Sequence, residues 1–210
     1  MKKTLISLVL VFALLSTCVF SAVFAAYSVT SGTQTMTATV SAFGITAVTI
    51  TQVSDAGSDP ATQYMVPGKT NVVLAKTSIT GTPKVDAQLK YTEVALTKTG
   101  NWTQDGTAGG TEYFPIEFTV GSMTFGTQGT DSATYTKCAN FADLSDKVEA
   151  AIKALTIEVP VSGFQSANFT DLPIVTWSWV DRANDFDNKI PDGAKISIEL
   201  TATVTQKPTT

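Results

Sequence analysis

From residue 35 the chain alternates. Met36, Ala38, Val40 and Ala42 fall on one face of an extended segment and Thr35, Thr37, Thr39 and Ser41 on the other, which predicts a half-buried strand. Phe43-Gly44 ends it, and residues 45–53 predict a second β segment. Residues 54–60 gather Ser, Asp, Gly and Pro into a turn. Pro67-Gly68 marks another, and residues 71–79 read as a strand. Beyond the Gly81-Thr82-Pro83 turn, Val85, Ala87, Leu89 and Tyr91 alternate with Asp86, Gln88, Lys90 and Thr92, and the strand continues to Leu96. Residues 99–111, rich in Gly and Thr, predict a loop. Residues 112–120 are apolar and aromatic. Pro115 among them has no N–H for a ladder, so this strand is expected at an edge or bulged. Residues 121–136 predict a short hairpin and a loop.

The period then changes. Leu144, Val148, Ala151, Ile152 and Leu155 recur at helical spacing. Asn140 stands three residues before Asp143, close to a capping arrangement, so a helix is predicted over 141–154. A strand follows at 156–161. Residues 174–180 and 194–205 are predicted as the arms of a long hairpin, the second alternating Ile196, Ile198, Leu200, Ala202 and Val204 against Lys195, Ser197, Glu199, Thr201 and Thr203. Many short strands with one helix predict an all-β fold, a jelly-roll-like antiparallel sandwich.

The first residues carry a different pattern. Met1-Lys2-Lys3 precedes an apolar run over 5–23 broken only by Ser7, Ser16, Thr17, Cys18 and Ser21. Val23-Phe24-Ala25 then supplies the small or compact residues of a secretory cleavage site, so residues 1–25 are read as a cleaved leader. An uncleaved anchor and a lipoprotein box at Leu15-Ser16-Thr17-Cys18 are the competing readings. The organisation expected is therefore a leader (1–25), an N-terminal strand (26–42), a sandwich domain (43–206) and a short polar tail (207–210).

Composition narrows the function. Roughly one residue in six is threonine, a β-sheet bias. With 14 Lys+Arg against 18 Asp+Glu and no basic cluster, the chain lacks a nucleic-acid footprint. It has no histidine, which removes the commonest general base and metal ligand and, with them, histidine-dependent triads and zinc-protease sites. No cofactor is implied. After leader removal Cys138 is the one remaining cysteine, so no internal disulfide is expected and Cys138 reads as a small core residue, with an intermolecular bridge as the competing reading.

Three stretches together resemble the TasA/camelysin family of secreted biofilm-matrix fibre proteins. They are Ser31-Gly32-Thr33 opening an alternating strand behind an export signal, the Val66-Pro67-Gly68-Lys69 turn before the 85–89 strand, and Trp177-Ser178-Trp179 followed by an Asp-rich loop and the run from Ile196 to Gln206. The resemblance implies a jelly-roll-like sandwich in extracellular or cell-surface filaments, with the freed N-terminal segment completing the sheet of the next subunit. The implied partners are further copies of the chain, head to tail, and other matrix components, with no membrane contact after cleavage. Mature relatives often begin with an aromatic-acidic stretch, whereas here Ala26-Tyr27-Ser28-Val29-Thr30 stands in its place. The metallopeptidase label of some members is not carried over, because the chain has no histidine.

The candidate donor is uncharged, free of proline and alternating, as strand addition needs. Its interface residues are Val29, Met36, Ala38 and Val40; the competing expectation is that 35–42 pairs within its own domain. Asp181, Asp185, Asp187 and Asp192 form an acidic loop whose oxygens suit calcium, against a solvated, turn-rich connection. Trp177 and Trp179 share a face. That face is either a sugar platform, giving the alternative of a monomeric carbohydrate- or surface-binding module, or packed core. Carboxylate pairs such as Asp181/Asp185 or Glu112/Glu117 lack a shared cleft in the sequence pattern. Asn101-Trp102-Thr103 and Asn168-Phe169-Thr170 fit the glycosylation triplet and imply exposed loops.

Overall fold

The computed structural model describes residues 28–31, 45–52, 67–180, 186–187, 190 and 195–207. They form a β-sandwich of two sheets with one α-helix. The strands are β1 (Ser28–Ser31), β2 (Ile45–Gln52), β3 (Val72–Gly81), β4 (Ala87–Thr99), β5 (Ile116–Val120), β6 (Met123–Gly126), β7 (Tyr135–Lys137), β8 (Thr156–Val159), β9 (Leu172–Trp179) and β10 (Lys195–Gln206); the helix, α1, is Phe141–Ala154. The first sheet runs β1-β10-β4-β8 and the second β2-β3-β9-β5-β6-β7. Every pairing is antiparallel except that of β6 with β7.

The first sheet is built on the β4–β10 ladder, which runs from Lys195↔Thr99 to Gln206↔Ala87. Ile196, Ile198, Leu200, Ala202 and Val204 of β10 are buried, as their alternation demands. Along β4 the buried set is Ala87, Leu89 and Tyr91, then Val94 and Leu96. The change of parity comes from a bulge: Tyr91 faces Ala202 and Glu93 faces Thr201, so Thr92 is the extra residue. The bulge turns Thr92 and Glu93 both outward and returns Val94 to the core. The second sheet answers with Leu74, Ile79, Phe118, Ile174 and Trp177, all buried.

Helix α1 starts where the sequence places it. The Asn140 side chain accepts from Asp143 N (3.0 Å), and Asp143 Oδ2 accepts from Ala139 N (2.8 Å), so two orphan donors at the helix start are satisfied. The Ala139 N–H, with Lys147 one turn on adding to it, holds the Asp143 carboxyl below the usual carboxylate range. Leu144, Ser145, Val148 and Ile152 form the buried face. This helix also protects an edge. β8 pairs with β4 only over Ala87–Lys90. Further along, Leu96 N donates to Glu149 Oε1 (2.9 Å) and Ser145 Oγ donates to Leu96 O (2.8 Å). Two helix side chains thus stand where a neighbouring strand would.

Several expectations change. β9 and β10 are not arms of one hairpin: β9 lies in the second sheet and β10 in the first, so residues 180–194 pass from one sheet to the other. Alternation reports which face of a strand is buried, and two strands facing each other across a core read the same as two paired ones. The Pro115 strand is not at an edge either. It begins at Ile116, just past the proline, and lies between β9 and β6. The β5–β6 hairpin turns at Gly121, whose φ of 59° suits glycine. The parallel strand β7 and the 3-10 turn Ser166–Phe169 carry no sequence pattern that announced them. The leader, the 35–42 strand, the 54–60 turn and residues 208–210 lie outside the described residues. No described helix is long and apolar enough to cross a membrane.

The edge-capping role of α1 makes a prediction. Glu149→Ala leaves the Leu96 N–H without its acceptor and is expected to cost about 1–3 kcal/mol in urea unfolding. Glu149→Gln, which keeps an acceptor, is expected to cost clearly less. Equal losses in the two variants would show that the carboxylate charge, not the edge hydrogen bond, matters there.

Candidate assembly interface

β1 lies on the outer edge of β10, with Ser28↔Thr205, Val29↔Val204, Thr30↔Thr203 and Ser31↔Ala202 as Cα partners. Among the described residues β10 is its only ladder partner. Val29, one of the four residues expected at an interface, is therefore in a strand and in register with the buried Val204. Met36, Ala38 and Val40 lie outside the described residues. The strand that is seen sits ahead of the alternating stretch that drew attention to this region. Four residues are too few to show a period of two, so the sequence pattern could only mark the longer segment.

The acidic loop contributes one described carboxylate. Asp187 is 7% exposed, and its Oδ1 accepts from the Tyr113 hydroxyl (2.7 Å) and from Trp179 Nε1 (3.0 Å). Both donors belong to large buried rings that need an acceptor. Asp187 thus ties the β9–β10 connection to the end of the sandwich, a role its loop-forming neighbours gave no hint of. Its Oδ2 is buried without a hydrogen-bond partner. Asp181, Asp185 and Asp192 lie outside the described residues, and among the described ones no group of three potential metal ligands comes together.

The other candidates are dispersed. Trp177 and Trp179 are both buried and Trp179 packs on Trp102 at 6.1 Å, so neither ring is offered to a sugar. Glu112 pairs with Lys98, whereas Glu117 accepts from the Tyr135 hydroxyl at 3.3 Å. Asn168 is exposed, but Asn101 is half-buried beside the buried Trp102, contrary to an exposed loop there. Trp102 is held in by an indole bond to Thr99 O (3.0 Å) and by Phe114 at 4.9 Å. Cys138 is a free, buried core residue, and burial pushes its thiol up. A small cleft beside the β4–β10 bulge is lined by Glu93, Val94, Ala95, Glu199 and Thr201, with Thr201 Oγ1 donating to Glu93 (3.1 Å).

Asp187→Ala is expected to destabilise by about 2–4 kcal/mol in denaturant unfolding, because it strands two buried donors. Asp187→Asn retains one acceptor oxygen and is expected to fall between this variant and the parent. A loss under 0.5 kcal/mol, a threshold set at about the usual scale of surface changes, would mean that the tie carries no weight.

No family model, curated protein or solved structure matches the chain.

Proposed function

We propose that this protein is a secreted structural subunit of extracellular filaments, of the TasA/camelysin kind, with a jelly-roll-like sandwich that polymerises by giving its N-terminal strand to the next subunit. The observation that carries this reading is the place of β1. It is a four-residue strand at the periphery of the first sheet, hydrogen-bonded through β10 and joined to the rest of the domain through residues 32–44. The next described strand, β2, belongs to the other sheet, so among the described residues β1 is not one arm of a hairpin.

The energetics favour exchange in a particular regime. A β1 from a neighbour makes the same ladder on β10 as the chain's own β1, so the two arrangements differ little in bonding. A tethered strand meets its own edge at an effective concentration on the order of millimolar. Exchange therefore competes at high local concentration, as in a matrix at a cell surface. Head-to-tail donation is a heterologous contact and gives open filaments. The uncharged segment 28–31 adds no buried charge to either arrangement. The alternative of a sugar-binding module has lost its two-tryptophan platform, since both rings are core.

Negative-stain electron microscopy of protein beginning at Ala26 is expected to show filaments whose mass grows with concentration, and protein beginning at Thr33, which lacks β1, is expected to stay unpolymerised. Filaments of equal abundance from both would remove the N-terminal strand from the mechanism.

A further inference from the structure

A sheet edge is a template for another strand, and soluble proteins blunt such edges with charge, proline, short length or a covering element. Three of the four edges formed by the described strands are treated in this way. β1, the edge beyond β10, is only four residues long. β8 is four residues long, its Glu158 pairs with Lys207 at 2.9 Å, and α1 covers β4 beyond it. β7 is three residues long, and Asp131 takes the Lys137 N–H at 2.6 Å. The fourth edge, β2, is eight residues, Ile45-Thr46-Ala47-Val48-Thr49-Ile50-Thr51-Gln52, with no charge and no proline.

The side-chain bonds on β3 show how β2 is turned. The Thr77 hydroxyl donates to Thr49 O (3.3 Å) and the Thr80 hydroxyl to Ala47 O (3.5 Å), so these carbonyls face β3. In an antiparallel strand the N–H and C=O of one residue point to the same side and alternate along the chain. The N–H and C=O groups of Val48 and Ile50 therefore point away from β3, to the outer edge. Among the described residues no strand pairs there. The Val48 and Ile50 side chains are buried, while Ala47 and Thr49 are half-buried on the outer face.

We infer that β2 is a second assembly surface, whose occupant is β2 of another copy, paired antiparallel about a two-fold axis through Thr49. In this register Val48 faces Ile50 of the second copy and each such pair exchanges both backbone bonds. Thr49 faces Thr49 at a close, non-hydrogen-bonded position. β-branched residues oppose β-branched residues on the inner face and threonine opposes threonine on the outer, both favourable cross-strand pairs. A one-residue slip would set inward side chains against outward ones. Centring on Val48 instead would run the ladder into the irregularity between Ile45 and Ala47. The absence of charge on β2 suits a second copy of the same strand. The chain carries a net charge of −4, and two copies approach at β2 without burying an unpaired charge. A charged partner strand finds nothing there to pair with.

The contact is isologous and closes on itself, so it would join filaments side by side rather than lengthen them. It does not rest on strand exchange. The test is Thr49→Cys in the otherwise unchanged chain under mild oxidation, with Ala47→Cys as the control. The native Cys138 is buried and does not compete. Directly opposed cysteines fall within disulfide reach, whereas two residues 47 would lie roughly 13 Å apart along the strands. The expected result is that most Thr49→Cys chains run as a linked dimer on a non-reducing gel, with the 49–49 bond mapped by mass spectrometry and little linkage at 47. Thr49→Lys is expected to leave filaments single where the parent shows pairs. Thr49→Cys chains that remain unlinked, or equal linkage at 47 and 49, would overturn the inference even if filaments form and bundle. Linked dimers without filaments would overturn strand exchange and leave β2 pairing standing.

Discussion

The β4–β10 ladder is the constraint on which the rest depends. Most of its partners are more than a hundred positions apart, as in the Thr92 hydroxyl bond to Thr201 O, and it extends for the full length of β10. Everything in the first sheet attaches to one of its two sides: β1 to β10, and β8 with α1 to β4. Such a non-local pairing closes late, since the loop entropy is lost before the contacts form. Until β10 is seated, β1 has no edge to occupy. The last described strand therefore builds the surface on which the first one rests.

Local patterns in the sequence were legible where one chain segment contains all the information. The helix over 141–154 follows from Leu144, Val148 and Ile152 on one face and from Asn140 and Asp143 at its start, and it forms with those bounds. The β10 alternation likewise appears as a buried row. Partnership was not legible. Nothing in residues 174–205 distinguishes a hairpin from two strands of different sheets, and the structure places β9 and β10 in different sheets. Pro115 predicts a strand that is at an edge or bulged, yet it stands just before β5, which lies between β9 and β6. Of the proposed interface residues only Val29 has a described position. Asp187 stood out as one of several loop carboxylates, yet its function in the fold is set by Tyr113 and Trp179, far from it in pattern though not in space.

The two exposed strands have complementary properties. β1 is short and held through a single neighbour, which suits exchange. β2 is long, uncharged and anchored in the second sheet by β3, which suits lateral pairing without leaving its domain. Exchange at β10 alone must compete with the chain's own strand. In the proposed assembly, contacts between copies at β2 would raise the local concentration of neighbours and shift that competition toward the open filament. The covered or charged state of the remaining edges fits this proposal, since a subunit that assembles through chosen strands must keep the others closed.

The most direct measurement of the central claim tests which chain's β1 sits on which chain's β10. Ser28 and Thr205 are opposed Cα partners, so Ser28→Cys and Thr205→Cys are placed in separate preparations, one of them isotopically labelled, mixed under assembly conditions and oxidised. Strand exchange predicts a 28–205 disulfide joining a labelled to an unlabelled chain, growing with protein concentration. No 28–205 linkage between the mixed preparations, although a chain that carries both substitutions links within itself, would contradict it.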